Sequence, residues 1–216
     1  MTYYIFVKGD ILNGSGQCPQ LTEGVYNAEV DEELYDDYNS DHDKYIVGTK
    51  EIEIEVPDEV EEGEEQTTHI ETITVPYPVP NPNYEEEQLA LAKQTKYNEA
   101  NEGAKRYLNG NALYEFEEGK HIEATDGNIA KFTAYALAYV TGQLQPTDTV
   151  VWNTKEDETV ELNQEQVVTI LNGLGQVQAY VWAVQFPYYI SLIEAAQTVE
   201  EVEAIVIDYT LPIEEE

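Results

Sequence analysis

Cysteine and histidine are the side chains best suited to nucleophilic attack, proton transfer and metal ligation. This chain has one cysteine, Cys18, and three scattered histidines, His42, His69 and His121. No HxxxH, HExxH or CxxC spacing is present, so a zinc site would have to gather ligands from separate segments. Cys18 lies beside Pro19 in a glycine-rich stretch with no base or cation nearby in sequence to draw off its proton. The stretch Asp37-Tyr38-Asn39-Ser40-Asp41-His42-Asp43 is similar to the opening of a calcium loop. That loop needs glycine at its sixth position and glutamate at its twelfth, and His42 and Gly48 stand there. It reads instead as a solvated helix end. Residues 9–16 are glycine-rich but lack the Lys-Ser/Thr ending of a phosphate loop and do not lead into a helix. Glycoside hydrolysis would need two carboxyl groups facing each other with separated pKa values. Among so many acids no pair stands out. The expectation is therefore no catalytic, cofactor-binding or metal-binding residue, and no enzymatic activity.

Composition narrows the partners. Of 216 residues, 44 are Asp or Glu and 10 are Lys or Arg, a formal net charge of -34. A broad cationic surface for nucleic acid or an anionic membrane is excluded. Basic proteins, cations and apolar patches remain as things to meet. Hydrophobic residues make up 42%, enough for a packed core that must stand without internal disulfides. The 17 tyrosines suit positions with one end buried and the other wet. The N-terminus lacks the charged and apolar regions of a signal peptide, and the apolar stretch 177–193 is broken by Gln178, Gln185 and Pro187. A soluble protein made in the host cytoplasm is expected.

The elements that would position these residues fall in two groups. Strands are expected at 2–7 and 24–30, with a turn at 13–16 and a short helix at 32–40 opened by Asp31. Strict alternation in KEIEIEV (50–56) and IETITV (70–75) predicts a long acidic hairpin over 50–79, with an acidic, mobile connection at 57–68. Ile52, Ile54, Ile70, Ile73 and Val75 are its expected apolar face. Pro76, Pro78, Pro80 and Pro82 then predict an extended, polyproline-like connector and a domain boundary. Beyond it, Asn83 and Glu86 suggest a capping box for a helix over 84–108, with Leu89, Lys93, Lys96, Ala100, Ala104 and Tyr107 on one stripe. A small hairpin is expected at 112–124, turning at Glu118-Gly119. A helix capped by Asp126 should follow at 128–141, carrying Ile129, Phe132, Ala136 and Tyr139 or Val140 inward. A second hairpin pairs 149–152 with 159–162. Asn163 and Gln166 cap a long helix over 164–196, with Val167, Ile170, Leu171, Leu174, Val177, Val181, Val184, Tyr188 and Leu192 as its apolar stripe and a kink at Pro187. Thr198 and Glu201 open a last helix at 199–206, before a frayed acidic tail at 207–216.

The pattern over 85–206 resembles a domain of unknown function found at the ends of bacteriophage tail-fibre and tail-fibre-assembly proteins. Three features carry the resemblance. They are the short hairpin leading to Asp126, the Trp152 strand with its polar turn and capped helix, and the closing A-A-x-T-V-E-E-V-E-A-I phrase at 195–205. The N-terminal part is similar to small phage tail proteins with a GNGxCP-like loop, here 14–19, and a V-P-N-P-N-Y-E-E-E junction, here 79–87. The hairpin at 50–79 is an elaboration of that pattern. The resemblance brings no catalytic residues with it.

Together these readings predict an α+β protein. A β-rich part over 1–79 carries the protruding acidic hairpin. A junction at 80–84 leads to a mainly helical domain over 85–206 with two small hairpins, and then to the tail. The expected function is structural or assembly work at a bacteriophage tail or tail fibre in the virion, through protein–protein contacts with tail or fibre proteins and with further copies of itself. Neither nucleic acid nor membrane is expected as a partner. Two other functions fit less of the sequence: an acidic, nucleic-acid-mimicking inhibitor of a host defence protein, and a fibre-borne glycan-acting enzyme.

Overall fold

The computed structural model describes residues 1–58 and 67–213 and shows an α+β chain, with strands first and a mostly helical C-terminal part. It divides into two compact units, Met1–Glu87 and Gln88–Glu216. Of the connection expected at 57–68, residues 59–66 lie outside the described residues, and Pro57 and Thr68 belong to strands; of the tail expected to fray at 207–216, residues 214–216 lie outside them, whereas Tyr209 is buried, its hydroxyl donating to the Ala100 carbonyl at 2.9 Å.

In the first unit, β1 (Tyr3–Lys8), β2 (Ile11–Gly16) and β3 (Tyr26–Val30) form an antiparallel sheet in the order β2-β1-β3. Residues 13–16 are therefore strand, not turn. The reversal is made by Gly9-Asp10, with Gly9 at φ 60°, so that Lys8 pairs with Ile11. Between the Ile5–Ser15 and Val7–Leu12 pairs, β2 holds one residue more than β1. Gly14, at φ 102°, serves that bulge. The helix α1 (Glu32–Ser40) starts as expected, with the Asp31 carboxylate accepting from the Leu34 N–H at 2.8 Å. Ile5, Val30 and Tyr38 form the buried centre, ringed by Leu34 and Tyr35 of α1 and by Tyr45 and Tyr77.

A single 3-10 turn, His42–Lys44, leads into the hairpin of β4 (Tyr45–Pro57) and β5 (Thr68–Pro80). Each strand has 13 residues, roughly 44 Å at 3.4 Å per residue. The prolines at 76, 78 and 80 belong to β5 and form no polyproline connector. The register explains why. Pro76, Pro78 and Pro80 face Thr49, Val47 and Tyr45, and Pro57 faces Thr68. All four prolines thus occupy the same alternate set of cross-strand pairs. In an antiparallel ladder one alternate set exchanges no hydrogen bonds, and a missing N–H costs nothing there.

The second unit begins in α2 (Tyr84–Leu108), whose bounds match expectation. Its N-terminal brace is Asn81 in place of an Asn83–Glu86 box. The Asn81 Oδ1 accepts from the Asn83 N–H at 3.0 Å, and its amide donates to Glu87 at 3.1 Å. Ala100, Ala104 and Leu108 are the buried residues of α2. Lys93 and Lys96 on the predicted stripe stay useful as donors, to the carbonyls of Glu194 at 3.0 Å and Ile205 at 3.3 Å. The hairpin β6 (Leu113–Glu117) and β7 (Lys120–Glu123) turns at Glu118-Gly119. The helix α3 (Asp126–Val140) is capped by Thr125, one residue earlier than expected, and buries Phe132 and Tyr139 while Val140 faces out. β8 (Val150–Asn153) and β9 (Thr159–Leu162) form the second hairpin. Asn163 and Gln166 form the expected reciprocal capping box at the start of α4 (Gln164–Tyr180).

The long helix departs from expectation at one point. It is broken by a π-turn, Val181–Gln185, before α5 (Phe186–Ala195) begins with Pro187 in its first turn. Val167, Ile170, Leu174 and Val181 are buried as predicted. From the end of the turn through α5 the buried residues are Gln185, Tyr189 and Ile193, and Val184, Tyr188 and Leu192 are exposed. A π-turn inserts one residue into the helical repeat, so every later inward position moves by one. The run Gln164–Ala195 spans 32 residues with a mean hydropathy of 1.2 over its most apolar stretch, long and apolar enough by composition to cross a membrane. Its inward stripe belongs to the core of this unit. The closing helix α6 (Val199–Glu203) is capped by Thr198 and ends three residues before expectation.

Candidate functional site

The hairpin β4–β5 is the surface where charge, apolar side chains and exposed backbone meet. Side chains alternate between faces along a strand, and the register assigns each residue to one of the two. Glu51, Glu53 and Glu55 share a face with their partners Thr74, Thr72 and Ile70. Ile52, Ile54 and Val56 share the other with Ile73, Glu71 and His69. Ile70 was expected on the apolar face. It is 66% exposed on the acidic face, because its even number puts it out of step with Ile73 and Val75 on the same strand.

The hairpin is anchored at one end only. Val75 and Pro78 are buried near the base, whereas Thr68 to Thr72 are all exposed. At the base Lys50 lies over the ring of Tyr77, 4.4 Å from its centroid. No other Lys or Arg occurs in the sequence until Lys93, and Lys50 lies on the opposite face, so the strands put no Lys or Arg on the glutamate face. Alternate glutamates stand roughly 6.8 Å apart, and each neighbouring pair repels by roughly 0.6 kcal/mol in water. That is small enough for the hairpin to tolerate and additive enough for a basic partner to exploit. As a two-stranded sheet, the arm also leaves two rows of backbone groups unpaired, available to a further strand.

At the far end His69 is held between two carboxylates. Its Nδ1 lies 2.7 Å from Asp58 and its Nε2 3.1 Å from Glu71. Glu71 and then Asp58 raise the His69 pKa above 6.5, and Thr67 and His69 lower that of Asp58. The two carboxylates thus favour the protonated form of His69 over the neutral one, relative to a free imidazole.

The remaining candidates lie apart. Cys18 is exposed in the β2–β3 loop. The Asp37–Asp43 stretch is the end of α1 and the 3-10 turn, and its carboxylates already have donors. Asp37 accepts from the Tyr45 hydroxyl at 2.6 Å and from Lys44 at 3.0 Å, which lower its pKa, and Asp41 accepts from the Tyr84 hydroxyl. His121 lies in the second unit. Glu156 accepts from its backbone N–H at 3.0 Å and faces its Nδ1 at 2.8 Å, tying β7 to the β8–β9 turn. No group of three metal-ligating side chains occurs among the described residues. Sequence reasoning missed Gln185, a buried amide that no local pattern marks. Comparison with known protein families, curated proteins and solved structures found no match.

Proposed function

We propose that this chain is a structural or assembly protein of a bacteriophage tail or tail fibre, acting through protein–protein contact without catalysis. The observation that carries the reading is the arm. Its register puts three unpaired glutamates on one face and Ile52, Ile54, Val56 and Ile73 on the other. A basic tail or fibre protein fits the first face by charge, and edge pairing offers it a fixed direction. The resemblance over 85–206, 14–19 and 79–87 supplies the tail context, and the virion tail is the proposed location.

Peptide mass spectrometry of density-purified virions of the source phage, with copy number set against the major capsid protein, tests this. A fixed stoichiometry is expected, falling when Glu51, Glu53 and Glu55 are all changed to Lys. Absence from virions with abundance in the infected lysate overturns a structural role. Among the other functions, it then favours an inhibitor of a host defence protein.

A further inference from the structure

The arm has a second face, opposite the glutamates. From base to tip it carries Lys50 beside Val75, Ile52 beside Ile73, Ile54 beside Glu71, and Val56 beside His69. Ile52, Ile54, Val56 and Ile73 are half-buried on a sheet of two strands anchored at its base. A two-stranded hairpin is marginal in water unless its apolar face packs on something. The connection at the tip is too short to serve. Ile52 and Ile73 stand six positions from Asp58 and Thr67, roughly 20 Å. The residues between those two, going out and back, reach at most about 16 Å. The face also holds one charge of each sign. Lys50 forms no ion pair with a described carboxylate. Glu71 meets only the ring of His69 among the described residues.

We propose that two copies of this chain pair through these faces, with the arms antiparallel about a twofold axis at the Ile52–Ile73 pair. In that arrangement Ile52 and Ile73 lie on their own counterparts. Lys50 comes level with Glu71 of the second copy, one strand across, at both ends of the contact. Packed sheets lie about 10 Å apart and neighbouring strands about 4.8 Å. A lysine and a glutamate reaching towards each other span that diagonal. The charges select this alignment. Arms laid base to base would set Lys50 level with Lys50 and Glu71 level with Glu71. An antiparallel axis moved to the Ile54–Glu71 pair would set the two Glu71 side chains face to face. Room for the tip of the second arm exists at the base. A groove of about 630 Å³ lies between the arm and β3, lined by Lys50, Ile52, Val75 and Tyr77 on the arm side. Such a contact is isologous and closes on itself as a dimer. It leaves Glu51, Glu53 and Glu55 free, so it goes beyond the function proposed for the arm and does not depend on it.

The test is sedimentation equilibrium of the full chain at 0.15 M salt, where a Debye length of about 8 Å leaves mainly the charges near the contact to act. Twice the mass of one chain is expected. Ile52→Asp should abolish the dimer. Lys50→Glu and Glu71→Lys should each weaken it at least tenfold, and the two together should restore it. That restoration is a response that mere damage to the fold would not give. Changing Glu51, Glu53 and Glu55 to Lys, on the other face, should leave the dimer in place. A chain that stays monomeric at its highest soluble concentration overturns the proposal and leaves the apolar face to a foreign protein. A dimer indifferent to Ile52→Asp, or one that the paired charge exchange does not restore, overturns it as well and places the contact elsewhere.

Discussion

Glu156 shows how one surface residue ties two hairpins together. The backbone N–H of His121 is the main reason its carboxyl is held at about 2, against 4.5 for an ordinary glutamate, with the His121 ring adding to it. A depressed carboxyl contributes stability above its unfolded value, and that contribution fades as pH falls from about 4.5 towards 2. Glu156→Gln should therefore be less stable than the unaltered chain at pH 7, with most of the gap gone by pH 2. Urea unfolding at pH 7, 4 and 2 reads this directly, and a gap as large at pH 2 as at pH 7 would assign the loss to something other than ionisation. The contact was not legible in the sequence, because His121 and Glu156 are 35 positions apart and each looks like an ordinary surface residue. The capping box of Asn163 and Gln166 was legible because its two partners are three positions apart and their chemistry is local.

Elements were legible where one periodicity ran unbroken. α2, the 32–40 helix, both small hairpins and the acidic hairpin were all expected close to where they stand. Misreadings came where two signals competed. The prolines of β5 looked like a connector because proline is read residue by residue, whereas their tolerance depends on cross-strand phase. The phase makes a prediction with both residues exposed. Thr74→Pro falls on the proline-bearing phase and should leave the ladder intact, and Glu71→Pro falls on the other and should open it. Amide exchange at Ile52 and Ile54 would show the difference, and equal exchange in the two variants would contradict the assigned phase. The long helix gives a second case. A stripe extrapolated at constant pitch points Leu192 inward, and the π-turn points Ile193 inward instead, at 3% exposure against 38%. Ile193→Ala should cost about 2–5 kcal/mol. Leu192→Ala, half out of the core, should cost under about 1 kcal/mol. Chemical denaturation of the two variants settles the phase, and the reverse order would mean that the helix continues without the inserted residue.

At the scale of the whole chain, charge is the dominant property. Lys and Arg number 10 against 44 acids, so most carboxylates have no cation to pair with, and the net field works against the folded state. The ion pairs that do form are largely exposed, such as Lys105 with Glu102 and Lys120 with Glu117, and each such pair adds little. Screening therefore relieves more repulsion than attraction. Raising ionic strength shortens the Debye length from about 30 Å at 0.01 M to about 8 Å at 0.15 M. The melting temperature should rise across that range, by roughly 2–4 °C for each kcal/mol of repulsion removed. Screening depends on ionic strength and not on the identity of the cation, so potassium chloride and tetramethylammonium chloride should act alike at equal concentration. A rise with one cation alone would place a specific ion site among the carboxylates. A fall with both would mean that the few ion pairs outweigh the repulsion of the unpaired acids. The expected rise fits the function proposed for the arm: a chain that gains from screening gains more from a basic partner that neutralises Glu51, Glu53 and Glu55 at close range, and holds its acidic face open until one arrives.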